Sequence, residues 1–217
     1  MIYIYYSYLS EENHENLLQN ELPKFPFDFI KKIKKYKRWQ DAQLSLLGRI
    51  LLFRAIREQF KNNVEEKDIS YNAYNKPFFK DNPVYFSISH SGEIVLCAIS
   101  DTLSIGLDIE KIHKIDMDTF RSYMLDNEWN RIIYSRDKHE AFFDYWTQKE
   151  AVIKCLGLGQ IDLKSFEISN DSTMIMGNQF YLKEVKIDPE YKCTISYHKK
   201  LDYNQNDDFV YLYKIIL

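Results

Sequence analysis

Between Ile105 and Glu110 the chain reads Ile-Gly-Leu-Asp-Ile-Glu, a strict alternation that suits a β-strand and not a helix. Successive strand side chains point to opposite faces. Ile105, Leu107 and Ile109 therefore share one face, and Asp108 and Glu110 emerge together on the other. Further along, Trp146, Glu150 and Lys154 recur at i, i+4 and i+8, the spacing of one helix face, with Lys149 beside them. A fold that brought the two segments together would offer three carboxylates and a lysine to one site. Crowded carboxylates repel one another and drive one pKa up, so such a cluster implies a cation. All-oxygen donors select a hard one, Mg²⁺ or Mn²⁺. Taken singly, each segment also has a plainer reading. Two acids on a strand suit a solvated sheet face, and a Glu/Lys helix face suits a run of i,i+4 pairs.

The rest of the chain supplies a scaffold of mixed elements. Residues 1–9 alternate as a first strand, and a helical pattern runs from Phe27 to Gln40. Asp41 to Phe60 is the longest apolar-periodic segment, with Leu44, Leu47, Leu51, Ala55 and Ile56 as its core stripe and Gly48 marking a close approach. Residues 61–68 read as loop. Val84–Ser89 and Ile94–Ile99 read as a strand pair joined around Ser91-Gly92, and Ile105–Ile109 as the next strand. Asp118–Leu125, Glu128–Tyr134 and His139–Leu156 are predicted helices. Short strands return from Phe166, through Tyr181-Leu182 and Cys193–Tyr197 to Phe209–Ile215. Strand, helices, strands, then strand, helices, strands again is an α+β order.

Composition narrows the function classes. With 17 Tyr and 14 Phe but 6 Gly and 5 Pro, the 217-residue chain has the makings of a packed core. A net charge of −3 argues against a general nucleic-acid binder. Cys97, Cys155 and Cys193 are odd in number and scattered, which fits reduced thiols and neither a disulfide framework nor a Cys-x-x-Cys metal site. No basic n-region precedes the apolar start, and no run reaches the length of a membrane span. The expectation is a soluble, cytoplasmic protein without membrane or nucleic-acid partners.

Four ordered segments carry a resemblance: Asn75-Lys76-Pro77, Ser87-Ile88-Ser89-His90-Ser91, Gly106-Leu107-Asp108-Ile109-Glu110, and Trp146 to Gly159. In order and spacing the chain resembles the Sfp-type 4'-phosphopantetheinyl transferases over most of its length. The resemblance implies two similar α/β halves in pseudo-twofold arrangement, 1–104 with nucleotide contacts and 105–217 with the metal-binding and catalytic motifs, and an active site in the cleft between them. It implies Mg²⁺-dependent transfer of the phosphopantetheine arm of coenzyme A to a serine of an apo acyl or peptidyl carrier protein, releasing adenosine 3',5'-bisphosphate. Asp108, Glu110 and Glu150 would be the metal ligands, with Mn²⁺ an alternative ion. Glu150 and Lys154 would be the catalytic pair, and Lys32, Ser45, Lys76, Ser89, His90 and Lys154 the coenzyme A contacts. Lys149 stands as a second candidate for the phosphate, against a plain solvated lysine. Trp146 reads as core or cleft wall. The two-half length implies a monomer with one complete site.

The chain departs from the pattern at Asn75, where glycine is usual, at Ser87, where asparagine is usual, and at Leu44, where an arginine commonly precedes the Ser/Thr. Two other classes remain open on the residues alone. One is a metal-dependent phosphohydrolase acting on a nucleotide or pyrophosphate with the same carboxylates. The other is a non-catalytic module binding coenzyme A or a carrier protein.

Overall fold

The structure, a computed structural model, describes residues 1–81, 83–198 and 209–217. In chain order its elements are β1 (Ile2–Tyr8), α1 (His14–Asn20), α2 (Phe27–Ile33), α3 (Trp39–Phe60), β2 (Ile69–Tyr71), β3 (Pro77–Phe79), β4 (Tyr85–Ser91) and β5 (Ile94–Ser100). Then come β6 (Ile105–Lys111), α4 (Asp126–Ile133), α5 (Lys138–Leu156), β7 (Ser172–Ile175), β8 (Asn178–Glu184), β9 (Tyr191–His198) and β10 (Val210–Lys214). The chain is α+β, as the order of its periodicities predicts. It divides into two compact units: one holds residues 1–72, 77–102 and the C-terminal strand, the other Ala73–Lys76 and the stretch from Leu103.

In the first unit a four-stranded sheet runs β10-β1-β5-β4, and α3 packs against it. The stripe read from the sequence is the buried one: Leu44, Leu47, Leu51, Ala55 and Ile56 join Tyr5, Val95 and Cys97 in a common core. A fully buried Leu contributes about 1.5–3 kcal/mol relative to exposure, so this stripe holds α3 on the sheet. At Gly48 an added Cβ would stand 3.0 Å from Ile88 Cγ2, which is why the helix can lie so close.

Three features differ from the sequence expectation. The helix predicted from Phe27 to Gln40 ends at Ile33, and α3 restarts at Trp39 after an extended Arg38. Beyond the buried Ile33 the next large side chain, Tyr36, is exposed, and the like charges of Lys31, Lys32, Lys34, Lys35, Lys37 and Arg38 at helical spacing are destabilising. The predicted helix near Asp118 is a 3₁₀ segment, Met117–Tyr123. The last strand does not stay with the second unit. β10 pairs in parallel with β1, from Ile2 opposite Val210 to Tyr6 opposite Lys214, whereas the sequence reading groups 105–217 together. Parallel partners are remote in sequence, so no local pattern announces them.

In the second unit an antiparallel sheet runs β6-β9-β8-β7, and α5 lies against β6 and β9. The α5 start is capped by Asp137, whose carboxylate accepts the His139 and Glu140 amides at 3.0 Å each. Its end is Gly157 in the left-handed region at φ 72°, whose amide donates to the Ile153 carbonyl at 2.8 Å. Among the described residues no helix is long and apolar enough to cross a membrane.

Candidate active site on β6 and α5

The two signature segments of the sequence are β6 and α5, and they touch through backbone. A Cβ at Gly106 would overlap the Ala151 carbonyl oxygen and the Cys155 amide nitrogen and would stand 2.8 Å from Cys155 Cα. Only glycine lets the helix sink this far onto the strand. Asp108, on the same strand face two residues along, is thereby brought against the helix turn that carries Glu150 and Lys154.

Lys154 donates to Asp108 Oδ1 at 2.6 Å, a charge-assisted contact with the aspartate side chain 5 % exposed. Burial raises the Glu150 carboxyl above the usual range, the Asp108 charge raises it further, and Lys154 offsets part of the rise. Glu110 lies two residues beyond Asp108 on the same face, half-buried. Behind the pair, Thr147 of α5 and Thr194 of β9 approach hydroxyl to hydroxyl at 3.2 Å, and Thr194 is the register partner of Asp108.

Asp108, Glu110 and Glu150 are all-oxygen donors, and two of them repel. That chemistry fits a hard divalent cation. Among the described residues, however, no three His, Cys, Asp or Glu side chains are gathered into a metal-holding group. The Lys154 ammonium supplies the counter-charge at Asp108.

The remaining expected residues fall in both units. Lys76, with Ala73–Lys76, belongs to the second unit, and its ammonium donates to the Cys155 carbonyl at 3.1 Å. Burial lowers the Lys76 pKa. Asn75 sits at φ 63°, which accounts for the glycine usual there: asparagine is among the few side chains that tolerate this region.

Lys32, Ser45, Ser89 and His90 belong to the first unit. Lys32 is exposed on α2, beside an open hollow of about 540 Å³ lined by Asp28, Lys31, Lys32, Lys35 and Tyr36. Ser45 is half-buried on α3, and on β4 Ser89 is buried while His90 is exposed. Leu44 is in the core, 4 % exposed, so a side chain at this position starts from the helix face turned inward.

Lys149 is neither a solvated lysine nor available to a phosphate. It is fully buried, with Nζ 2.6 Å from Glu128 Oε1. The sequence reading gave Glu128 no role. Yet Lys149 stands in the stripe Phe142, Tyr145, Trp146, Lys149, Val152, Ile153, whose helical spacing marks it as inward-facing. Trp146, read as core or cleft wall, is half-buried against the core and stacked on Phe142 with ring centroids 5.9 Å apart.

Comparison with known proteins decides the family. The profile of the 4'-phosphopantetheinyl transferase superfamily matches residues 104–203, and that of the 4'-phosphopantetheinyl transferase N-terminal region matches 26–102. The 4'-phosphopantetheinyl transferase gsp of Aneurinibacillus migulanus is 33% identical over 195 residues, covering 81% of each chain. The chain belongs to the 4'-phosphopantetheinyl transferase superfamily. Sfp of Bacillus subtilis (strain 168) is 29% identical over 199 residues, covering 86% of each chain. HetI of Nostoc sp. is 33% identical over 107 residues, covering 46% of this chain and 45% of its own. The N-terminal match ends at residue 102, where the Pro77–Thr102 stretch of the first unit ends. The superfamily match contains the whole of β6 and α5, so the contact between Asp108 and Lys154 lies within the part of the transferase that its relatives share.

Proposed function

We propose that this transferase moves the 4'-phosphopantetheine arm of coenzyme A to a serine hydroxyl of an apo acyl or peptidyl carrier protein. The leaving group is adenosine 3',5'-bisphosphate. The observation that carries the reading is the Lys154–Asp108 contact beside Glu150, on a strand and helix that Gly106 allows to meet.

Asp108, Glu110 and Glu150 would hold Mg²⁺, with Mn²⁺ as the alternative ion. When bound, that ion would supply Lewis-acid neutralisation of the pyrophosphate. Everything else falls to the chain's own groups. The serine oxygen forms a bond to the phosphorus bearing the pantetheine arm. The bond from that phosphorus to the bridging oxygen breaks, and its electron pair leaves with the bisphosphate. Glu150, raised by burial and by Asp108, takes the serine proton; a carboxylate shifted toward neutrality is a better base at physiological pH. Lys154 stabilises the phosphate oxygens as charge develops on the leaving group. Lys32, Ser45, Lys76, Ser89 and His90 would contact the coenzyme A nucleotide. On this reading the enzyme works as a monomer in the cytoplasm, where buried, unbridged Cys97, Cys155 and Cys193 are at home.

The test is intact-mass spectrometry of purified apo carrier proteins after incubation with the enzyme, coenzyme A and Mg²⁺, with an EDTA control. A gain of one phosphopantetheine, lost with EDTA and lost in a folded Asp108→Ala variant, is the expected result. Bisphosphate released with no mass gain on any carrier would replace the transferase reading with a hydrolase. Full activity of Asp108→Ala would remove the metal assignment.

A further inference from the structure

Lys149 and Glu150 are neighbours in sequence, yet they do different work. Adjacent residues on an α-helix diverge by about 100° around the axis, so when Glu150 is aimed at Asp108, Lys149 is aimed elsewhere. Its ammonium lies 2.6 Å from Glu128 Oε1 and 2.9 Å from the Leu163 carbonyl oxygen, and it also bonds the Phe166 carbonyl. An ammonium has three protons, and each has its acceptor. The Phe166 ring centroid at 4.2 Å and that of Tyr145 at 5.3 Å complete the enclosure. Glu128, 2 % exposed, uses its other oxygen to accept the Leu125 amide at 3.0 Å, at the start of α4. One ion pair thus ties α5 to α4 and to the 163–166 turn.

The structure assigns to Lys149 and Glu128 a positioning role: the pair fixes the rotation of α5 about its axis, and with it the aim of Glu150 and Lys154. This inference rests on the transferase reading of that site. Buried ion pairs are poor devices for stability, because apolar residues of similar volume often do as well. What apolar packing does not supply is direction. The acceptors of Lys149 are two backbone carbonyls and a carboxylate that is itself held by a backbone amide. A side-chain tip stands about 6 Å from its helix axis, so turning α5 by about 10° would carry the Glu150 carboxylate about 1 Å. Misplacement on that scale costs on the order of a hundred-fold in rate. Lys149 touches no substrate on this reading and acts only through its neighbours.

The experiment compares wild type with Glu128→Gln and with the double substitution Lys149→Met and Glu128→Leu, which replaces the pair by apolar volume. Thermal midpoint, kcat and KM for coenzyme A, and a crystal structure are measured for each. We expect the double variant to keep a midpoint near wild type and a KM within about two-fold, while kcat falls about ten- to a hundred-fold. In its crystal structure Lys154 should be displaced from Asp108. Wild-type kcat together with an intact 2.6 Å contact would overturn the assignment. If the double variant does not fold, Glu128→Gln decides by the same readings, with kcat down at constant KM supporting the role and unchanged kcat refuting it. If the wild type transfers nothing, the transferase reading falls separately. The crystal structures then decide alone: a displaced Lys154 supports positioning, and a retained contact refutes it.

Discussion

The tightest constraint in the second unit is the missing side chain at Gly106, and Gly106→Ala tests it. The new methyl would meet backbone, the Ala151 carbonyl and the Cys155 amide, so no side-chain rotation can relieve it. Carbon atoms pack at about 3.5–4.0 Å, and the Cβ would start 2.8 Å from Cys155 Cα, so α5 must retreat by roughly 1 Å. Overpacking of this kind costs about 1–3 kcal/mol, and a clash with rigid helix backbone belongs at the upper end. For a chain of this size about 3 kcal/mol corresponds to a fall in thermal midpoint of about 6–12 °C. The two units need not melt together. The loss should therefore appear in the transition reported by Trp129 and Trp146, and not in that reported by Trp39. Retreat of α5 would also stretch the 2.6 Å Lys154–Asp108 contact beyond hydrogen-bonding range, with kcat down on the order of a hundred-fold. Gly177→Ala is the control. Its Cβ meets nothing within 4 Å, and it carries only the conformational cost of φ 77°, about 1–2 kcal/mol. Tryptophan fluorescence melts and steady-state transfer kinetics read both effects. A Gly106→Ala enzyme melting within about 2 °C of wild type, with unchanged kcat, would refute the close approach of β6 and α5.

Three further outcomes are expected. Lys149→Met leaves Glu128 buried without its cation and should cost about 3–5 kcal/mol by denaturant titration, most of it regained when Glu128→Leu is added. Asp144 on α5 has its carboxyl raised above the usual range, chiefly by burial. A carboxyl that binds its proton more tightly folded than unfolded costs stability when ionised, and the cost disappears as pH falls through its folded pKa. Asp144→Asn should therefore raise the thermal midpoint at neutral pH and give no gain near pH 4, about the unfolded aspartate value. Removing residues 209–217 strips β1 of its parallel partner. It also removes the Ile215 amide's bond to the Tyr6 carbonyl at 2.8 Å and the Asn13 bond to the Leu217 carbonyl at 2.7 Å. The first unit should then melt first and aggregate from its exposed strand edge, which light scattering alongside Trp39 emission would show.

What the sequence disclosed, and what it withheld, follows from the range of the interactions involved. The alternation at Ile105–Glu110 and the periodicity of Asp41–Phe60 are local, and both elements stand where they were read. That Gly106 permits the strand and helix to touch was not readable, because the glycine's neighbours, Ala151 and Cys155, are remote in sequence. The parallel pairing of β10 with β1 is longer in range still and left no trace in either strand's own pattern. The break between α2 and α3 had a local cause in six crowded cations, but apolar period alone ran across it.

Lys149 marks the boundary between the two kinds of information. A lysine in the apolar stripe of α5 already signals burial, and a buried ammonium requires a carboxylate or several carbonyls, because an isolated charge in the core is too costly to keep. The stripe was legible, so the need for a partner could be derived. The identity of the partner could not. Glu128, Glu140 and Glu167 are equal candidates by sequence, and the fold separates them. Glu128 is enclosed with Lys149, Glu140 meets Lys192 at 2.8 Å, and Glu167 meets Arg131 at 3.1 Å. The acid chosen is the one whose second oxygen accepts the Leu125 amide at the start of α4. A helix terminus has unsatisfied amides to offer a carboxylate, so the residue that caps α4 is also the one held still enough to orient α5.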